Sequence, residues 1–230
     1  GISYQNRVPA LGLYLERLPA SAELGLAAFI ISFIIALPIG LLSAVKVNSW
    51  WDTFGKLFAL GGMSLPGFWV GLLLILVFSL TFRLLPVAGR GGLDNLILPA
   101  FALGWYFAAA HTRLIRSAML DVLGSEYIKL ARLKGLPELL VVAKHALKNA
   151  LIPEVTLAGI NLVLMVSAAV VVETVFAWPG IGQLLYQGIT NRDFPVVQTV
   201  VIVTGAMMVW VNLTVDVLYA YIDPRIRYES

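Results

Sequence analysis

The chain has 230 residues, of which 60% are apolar and only 13% charged, with a formal net charge of +3 and a mean hydropathy of +0.88. A soluble domain is nearer half apolar and a quarter charged, so this composition excludes an ordinary soluble enzyme and marks an integral membrane protein. The lack of cysteine excludes disulfides, thiolate metal sites and a cysteine nucleophile.

Four or five apolar runs are long enough to cross a hydrocarbon core of about 30 Å, so the predicted fold is an all-α polytopic bundle rather than a barrel. Residues 1–21 form a lead-in segment without the basic flank and apolar core of a signal peptide. The chain opens on Gly1 without a methionine, and a further span ahead of it is expected, making six. The first visible span covers 22–45 and contains Pro38. The second, 57–80, is broken by Gly61-Gly62-Met63-Ser64-Leu65-Pro66-Gly67. Irregular backbone at membrane depth is tolerated only against protein or water, so Met63 and Ser64 are candidate pathway-lining residues. Gly67 and Gly71 have the spacing of close helix packing.

The third span, 96–118, has only fifteen uncharged residues, Leu96–Ala110, so Arg113 and Arg116 are expected to snorkel toward the headgroups. A basic loop, 119–153, follows. The fourth and fifth spans, 154–177 and 196–221, carry Glu173 and Asp216 as their notable acids. An acid inside a membrane faces protein or water. For Glu173 the open roles are lining an outer cavity, fixing the following turn, or an ion pair or amide cap near the interface. Asp216 is expected to pair with Arg113 or Arg116. Asn161, with Ser167 and Asn212, either lines the path or bonds across helices. Trp178-Pro179-Gly180-Ile181-Gly182 reads as a turn with an interfacial aromatic. Residues 223–230 form a tail. No internal repeat divides the chain, and 22–222 is read as one membrane domain.

Lysine and arginine set the orientation. Residues 46–56, 111–153 and 222–230 hold eleven of the sixteen, including all six lysines. Those segments are therefore expected in the cytoplasm, with the C-terminus, and residue 1 outside. The positive charge thus reports topology and implies no nucleic-acid partner.

Within the basic loop, Ser125–Pro153 reads as two short helices meeting at a sharp turn. Ser125 is placed to cap the first and Glu126 to sit at the positive end of its dipole. Tyr127, Leu130, Ala131 and Lys134 are expected on one face, and Leu140, Ala143 and Leu147 on an apolar stripe of the second helix. Gly135 suits the left-handed position past a helix end, and Pro137 the first turn of the next helix. A loop lying on anionic lipid would account for the charge, but the capped pair with its Gly-Leu-Pro turn favours docking onto a partner.

EYIKLARLKG followed by HALKNALIP resembles the cytoplasmic loop of binding-protein-dependent ABC importer permeases, in the form used by the dipeptide/oligopeptide/nickel group. RLPASAELGLAAFI at 17–30, GGMSLPGFWVGLLL at 61–74, LPVAGR at 85–90, ETVFAWPGIGQLL at 173–185, DFPVVQ at 193–198 and VDVLYAYIDPRIR at 215–227 are similar to the same group, in the same order. Against the broad superfamily pattern, Lys129 and Leu130 replace Glu-Ala, His145 replaces Ile and Lys148 replaces Pro, as in the peptide group. The resemblance implies a type I-like ABC importer transmembrane domain in a bacterial or archaeal cytoplasmic membrane. It also implies a homologous second permease, two ATPase subunits, an extracytoplasmic solute-binding protein and a peptide-like substrate. It makes Glu126, Tyr127, Ala131, Arg132, Lys134, Gly135, Leu136 and His145 the residues coupling the bundle to the ATPase.

Neither G-x-x-x-x-G-K with Ser or Thr, nor H-E-x-x-H, nor G-x-S-x-G occurs, so no cofactor or catalytic role is expected of this chain. His111 and His145 lack the spacing of a metal pair. Rival readings are the same machinery carrying nickel chelate, glutathione or another small solute, an ion-driven secondary transporter, and an intramembrane enzyme. The last two lack inverted repeats and a catalytic set, respectively.

Overall fold

A computed structural model describes the backbone of residues 1–222, with the side chains there other than those of Thr156, Val163, Asp216 and 218–222. Regular structure among the described residues is helical, apart from an antiparallel bridge between Ile2 and Pro9. Helix α1 (Ala10–Val45) starts twelve residues before the predicted span and runs through Pro19 and Pro38. At 1.5 Å per residue its 36 residues reach about 54 Å, longer than a hydrocarbon core.

Helix α2 (Trp50–Ser64) stops where the glycine-rich run ends, and α3 (Gly67–Leu74) begins after Leu65 and Pro66, passing into wide π-type turns over Ile75–Thr81. Pro66 disfavours a helical residue before it, and Leu65 is indeed extended (φ −93°, ψ 124°). Helix α4 (Leu93–Leu123) is followed by α5 (Glu126–Leu133) and α6 (Glu138–Leu140). π-type turns over Val141–Ala146 lead from α6 into α7 (Leu147–Val175). Helix α8 (Ile181–Thr190), whose first two residues end the turn expected over Trp178–Gly182, precedes α9 (Phe194–Ile222). Among the described residues, four helices are long and apolar enough to cross a membrane, and a fifth is added if α2 and α3 count as one broken span.

Contacts group the chain into two compact units. The first takes Gly1–Phe29, Gly67–Leu103 and the chain from Gly159 onward. Its core includes Tyr14, Ile181, Leu184, Val196 and Val200. Gly71 packs against Phe176 and Ala102 here, so this small residue serves helix packing. The outward face of α9 remains apolar, with Ile202, Val209 and Trp210 exposed, as suits a surface turned to lipid.

Asp193 ties the beginning of the chain to this unit. It sits just ahead of α9, accepting a hydrogen bond from the Ser3 hydroxyl (2.5 Å) and others from the amides of Tyr4 and Gln5 (3.2 and 3.3 Å). Burial pushes its carboxyl up, but the Ser3 hydroxyl and the amides of Tyr4, Gln5 and Val196 together hold it below the usual carboxylate range. The clamp therefore contributes fully above the unfolded value of about 3.9 and is lost only as pH falls through the lower folded value. Asp193→Asn should speed hydrogen exchange at Tyr4 and Gln5 about tenfold at neutral pH, one charge-assisted bond's worth. Wild-type protection should hold steady from pH 8 to pH 5; a decline across that range would contradict the assignment.

The second unit takes Ile30–Pro66 and Gly104–Ala158. Ile115, Met119, Ile128, Val141, Val142, Ala146 and Ala150 form its core with Ala36 and Ala44. Gly62 lies so close to Ala109 that any side chain there would collide, which fixes α2 against α4. The buried Asp52 is a hub: Arg116 Nε lies 2.8 Å from Oδ1, Lys56 Nζ 2.8 Å from Oδ2, and the Asn48 amide and Ser43 hydroxyl also donate to it. Arg116 thus turns to Asp52 and Ser43 instead of snorkelling. The expected partner Asp216 lies outside the residues whose side chains are described.

Candidate functional site

The segment between α4 and α7 is an elbow whose geometry follows from a few residues. Ser125 occupies the N-cap position of α5, but its hydroxyl bonds back to the Val122 carbonyl (2.5 Å) rather than forward to a free amide. Glu126 begins the helix and pairs with Lys129 one turn on (2.8 Å). At the far end Gly135 is left-handed (φ +77°), its amide reaching the Arg132 carbonyl (2.9 Å) while the Leu136 amide reaches that of Ala131 (3.4 Å). This paired closure is the Schellman pattern, and it ends α5 with its last carbonyls satisfied. Pro137 is the N-cap of α6, one position earlier than the predicted first turn.

Arg132 and Glu138 brace the bend, with Nη2 2.7 Å from Oε1 and Nε 3.1 Å from Oε2. The guanidinium holds the Glu138 carboxyl below the usual carboxylate range. The Asn149 amide donates to the Tyr127 hydroxyl (2.9 Å), linking α5 to the first turn of α7. Gly135→Val should cost about 2 kcal/mol, because a β-branched residue at this φ is strained, whereas Gly135→Asn should be nearly neutral. Exchange at the Leu136 amide checks this, and equal protection in both variants would contradict it.

Burial sorts the elbow into anchor and free surface. Ile128 is the inward residue of α5. Tyr127, Leu130, Leu133, Leu136, Leu139 and Leu140 are exposed, Leu133 and Leu139 at 83% and 81%. The expected stripe of Leu140, Ala143 and Leu147 is corrected: Val141, Val142, Ala146 and Ala150 face inward, because the π-type turns widen the spacing from Val141 to Ala146 to five residues. Ala131 packs partly against the core, and Lys134 and Gly135 are exposed at the tip. His145 is half-buried, and its carbonyl accepts from Asn149. All eight residues named for coupling fall on one elbow, with the exposed Arg132 side chain turned onto Glu138.

The first unit holds a second constellation. Glu173 is buried and accepts the Ser21 hydroxyl (2.6 Å) and the amides of Gly182 (2.7 Å) and Gln183 (3.1 Å). It therefore caps the first amides of α8 across the turn. Gly180 and Gly182 lie so close to its carboxylate and to Val170 that a side chain at either would collide. Trp178 is fully buried with its indole N–H on the Ala20 carbonyl (2.8 Å), so it plugs the turn rather than anchoring at an interface. Beside Glu173 lies a mostly apolar cavity of about 280 Å³, lined among others by Ser21, Ser167, Thr204 and Met208. Asn161 is buried away from that lining. In the second unit Ser64 is exposed, its hydroxyl on the Leu60 carbonyl (2.8 Å), and Met63 is half-buried.

Residues 36–228 match the family described as the binding-protein-dependent transport system inner membrane component. The chain belongs to this family. The permease family match spans the elbow and the Glu173 turn alike. Among relatives, the dipeptide transport system permease protein DppB of Escherichia coli (strain K12) is 37% identical over 261 residues, covering all of this chain and 77% of its own. The glutathione transport system permease protein GsiC of the same strain is 38% identical over 229 residues, covering all of this chain and 75% of its own. Among solved structures, the inward-facing MetNI methionine ABC transporter superposes with a TM-score of 0.77 at 20% identity over 94% of this chain and 98% of that one. An amino acid ABC transporter superposes with a TM-score of 0.69 at 17% identity, covering 94% of each chain. These likenesses establish the fold of an ABC importer transmembrane domain, and the chain is a multi-pass membrane protein of that permease family.

Reading this permease from sequence missed three polar clusters. Asp52 lies five residues before the predicted second span, where a charge draws no attention. Asp193 stands two residues before Pro195 at a helix start, a recognisable N-cap signal. Glu154 adjoins Pro153, which the reading took as the boundary between loop and span. His111 Nδ1 and Glu154 Oε1 meet as a buried polar pair.

Proposed function

We propose that this chain is the permease subunit of an ATP-driven ABC importer of short peptides and supplies half of the translocation pathway. The observation that carries the reading is the elbow: a braced bend bearing exposed leucines on an otherwise basic segment. An apolar surface at the tip of a charged loop suits a protein groove better than a lipid headgroup layer. In this reading the loop 119–153 and the tail 223–230 are cytoplasmic, residues 1–21 lie outside, and 22–222 form the transmembrane domain. A separate ATPase dimer seats the elbow, a homologous permease completes the pathway, and an extracytoplasmic binding protein delivers the solute.

Nucleotide favours one arrangement of the ATPase dimer, and the elbow passes that preference to the helices as alternating access. Glu126, Tyr127, Ala131, Lys134, Gly135, Leu136 and His145 form or shape the docking face, while Arg132 holds its angle. Met63, Ser64, Asn161 and Glu173 are the proposed pathway-side residues, with Glu173 acting through the turn it fixes. The likeness to a dipeptide permease supports a peptide substrate, and the likeness to a glutathione permease supports a modified tripeptide as the second reading. Purification of the chain from its host should bring an ATPase with it, and uptake in vesicles should stop when ATP is depleted. Uptake sustained by an ion gradient alone would reject the ABC reading.

A further inference from the structure

The buried pair His111–Glu154 has no part in docking or in any pathway named above. His111 lies on α4 and Glu154 on α7, at 0% and 1% side-chain exposure, and the Phe33 ring rests on the imidazole (centroids 4.7 Å apart). The position of the pair is informative. His111 precedes the elbow and Glu154 follows it, so the contact closes the chain into a loop containing the end of α4, all of α5 and α6, and the start of α7. Beyond it, toward the elbow, Ile115, Met119, Val142, Ala146 and Ala150 pack in one cluster.

Glu154 also follows Pro153, which lies inside α7. A proline there supplies no amide to the carbonyl four residues back and weakens the helix at that point. A load applied at the elbow would bend α7 at Pro153 unless the next turn were held. Within this unit Asp52 is engaged with Arg116 and Lys56, Glu126 with Lys129, and Arg132 with Glu138. A buried polar pair is a poor source of stability compared with apolar packing, yet loss of one partner strands the other.

We propose that His111 and Glu154 are positioning residues, a clasp that locks α4 to α7 across the base of the elbow so that both helices move together. The proposal rests on the reading of the elbow as the ATPase seat. Without the clasp, displacement of the elbow would be absorbed by bending at Pro153, and ATP would be spent without transport.

The test is a double-mutant cycle on the assembled transporter in proteoliposomes, read as labelled dipeptide taken up per ATP hydrolysed. H111L and E154L should each lower that ratio about tenfold with the ATPase still bound, and H111L/E154L should fall well short of the product of the two losses. Because the chain has no cysteine, spin labels at Asp121→Cys and Ile152→Cys can also report the α4–α7 separation in the chain alone. That distance distribution should be narrow in the wild type, broaden in each single variant and narrow again in the double. Multiplicative losses, or single variants that lower only the amount of complex recovered, overturn the clasp. If the wild type shows no ATP-driven uptake, the reading of the elbow fails instead, and the spin-label widths still decide whether the pair locks the helices.

Discussion

Replacing Leu133 and Leu139 together by aspartate should detach the ATPase from an otherwise folded chain. Both side chains are more than four-fifths exposed. If each fills an apolar pocket on the partner, its loss costs about 2 kcal/mol, or about 30-fold in affinity, and the pair approaches a thousandfold. Co-purification and nucleotide-stimulated transport should therefore both disappear. Thermal unfolding should stay near the wild-type curve, since the anchoring residue Ile128 and the Arg132–Glu138 brace are untouched. Leu93→Asp is the control: that leucine is 80% exposed but far along the chain from the elbow, and the ATPase should remain bound. Retention of the ATPase by the double variant would return the elbow to the rival picture of a basic loop on lipid.

Glu173→Ala should have the largest effect on the first unit. It strands three donors at once: the Ser21 hydroxyl and the amides of Gly182 and Gln183. Unsatisfied buried groups cost about 1–3 kcal/mol each, and partial relief by water brings the expected loss to about 3 kcal/mol. For a chain of this size that lowers the melting temperature by about 6–12 °C, measurable in detergent. Gly182→Val should behave similarly, since its side chain would meet Val170 and the same carboxylate. Neither change touches the elbow, so ATPase binding should survive. An unshifted melting curve for Glu173→Ala would mean that the carboxylate does not hold the turn.

The sequence was informative where a residue acts on its own backbone. Pro66 forces Leu65 out of the helix, so the interruption of the second span was predictable, and Gly135 fixes its own left-handed turn whatever surrounds it. Length and hydropathy gave the spans for the same reason, because backbone bonds must close locally inside lipid. Pairings between distant segments left no such mark. Arg116 finds Asp52 across 64 positions, and Asp193 finds Ser3 across 190, with no periodicity to announce either. The inward face of the second elbow helix was misread because a helical wheel assumes 3.6 residues per turn, and the π-type turns between Val141 and Ala146 break that assumption. Glu154 was hidden by treating Pro153 as a terminus, although α7 passes through it.

The Arg132–Glu138 contact is made between side chains 43% and 55% exposed, and its strength consequently depends on the surrounding electrolyte. Dilute buffer keeps the bend stiff, while the high-ionic-strength washes common in detergent extraction relax it. Affinities for a motor subunit measured after such washes would describe a more pliant hinge than the one present at cellular ionic strength.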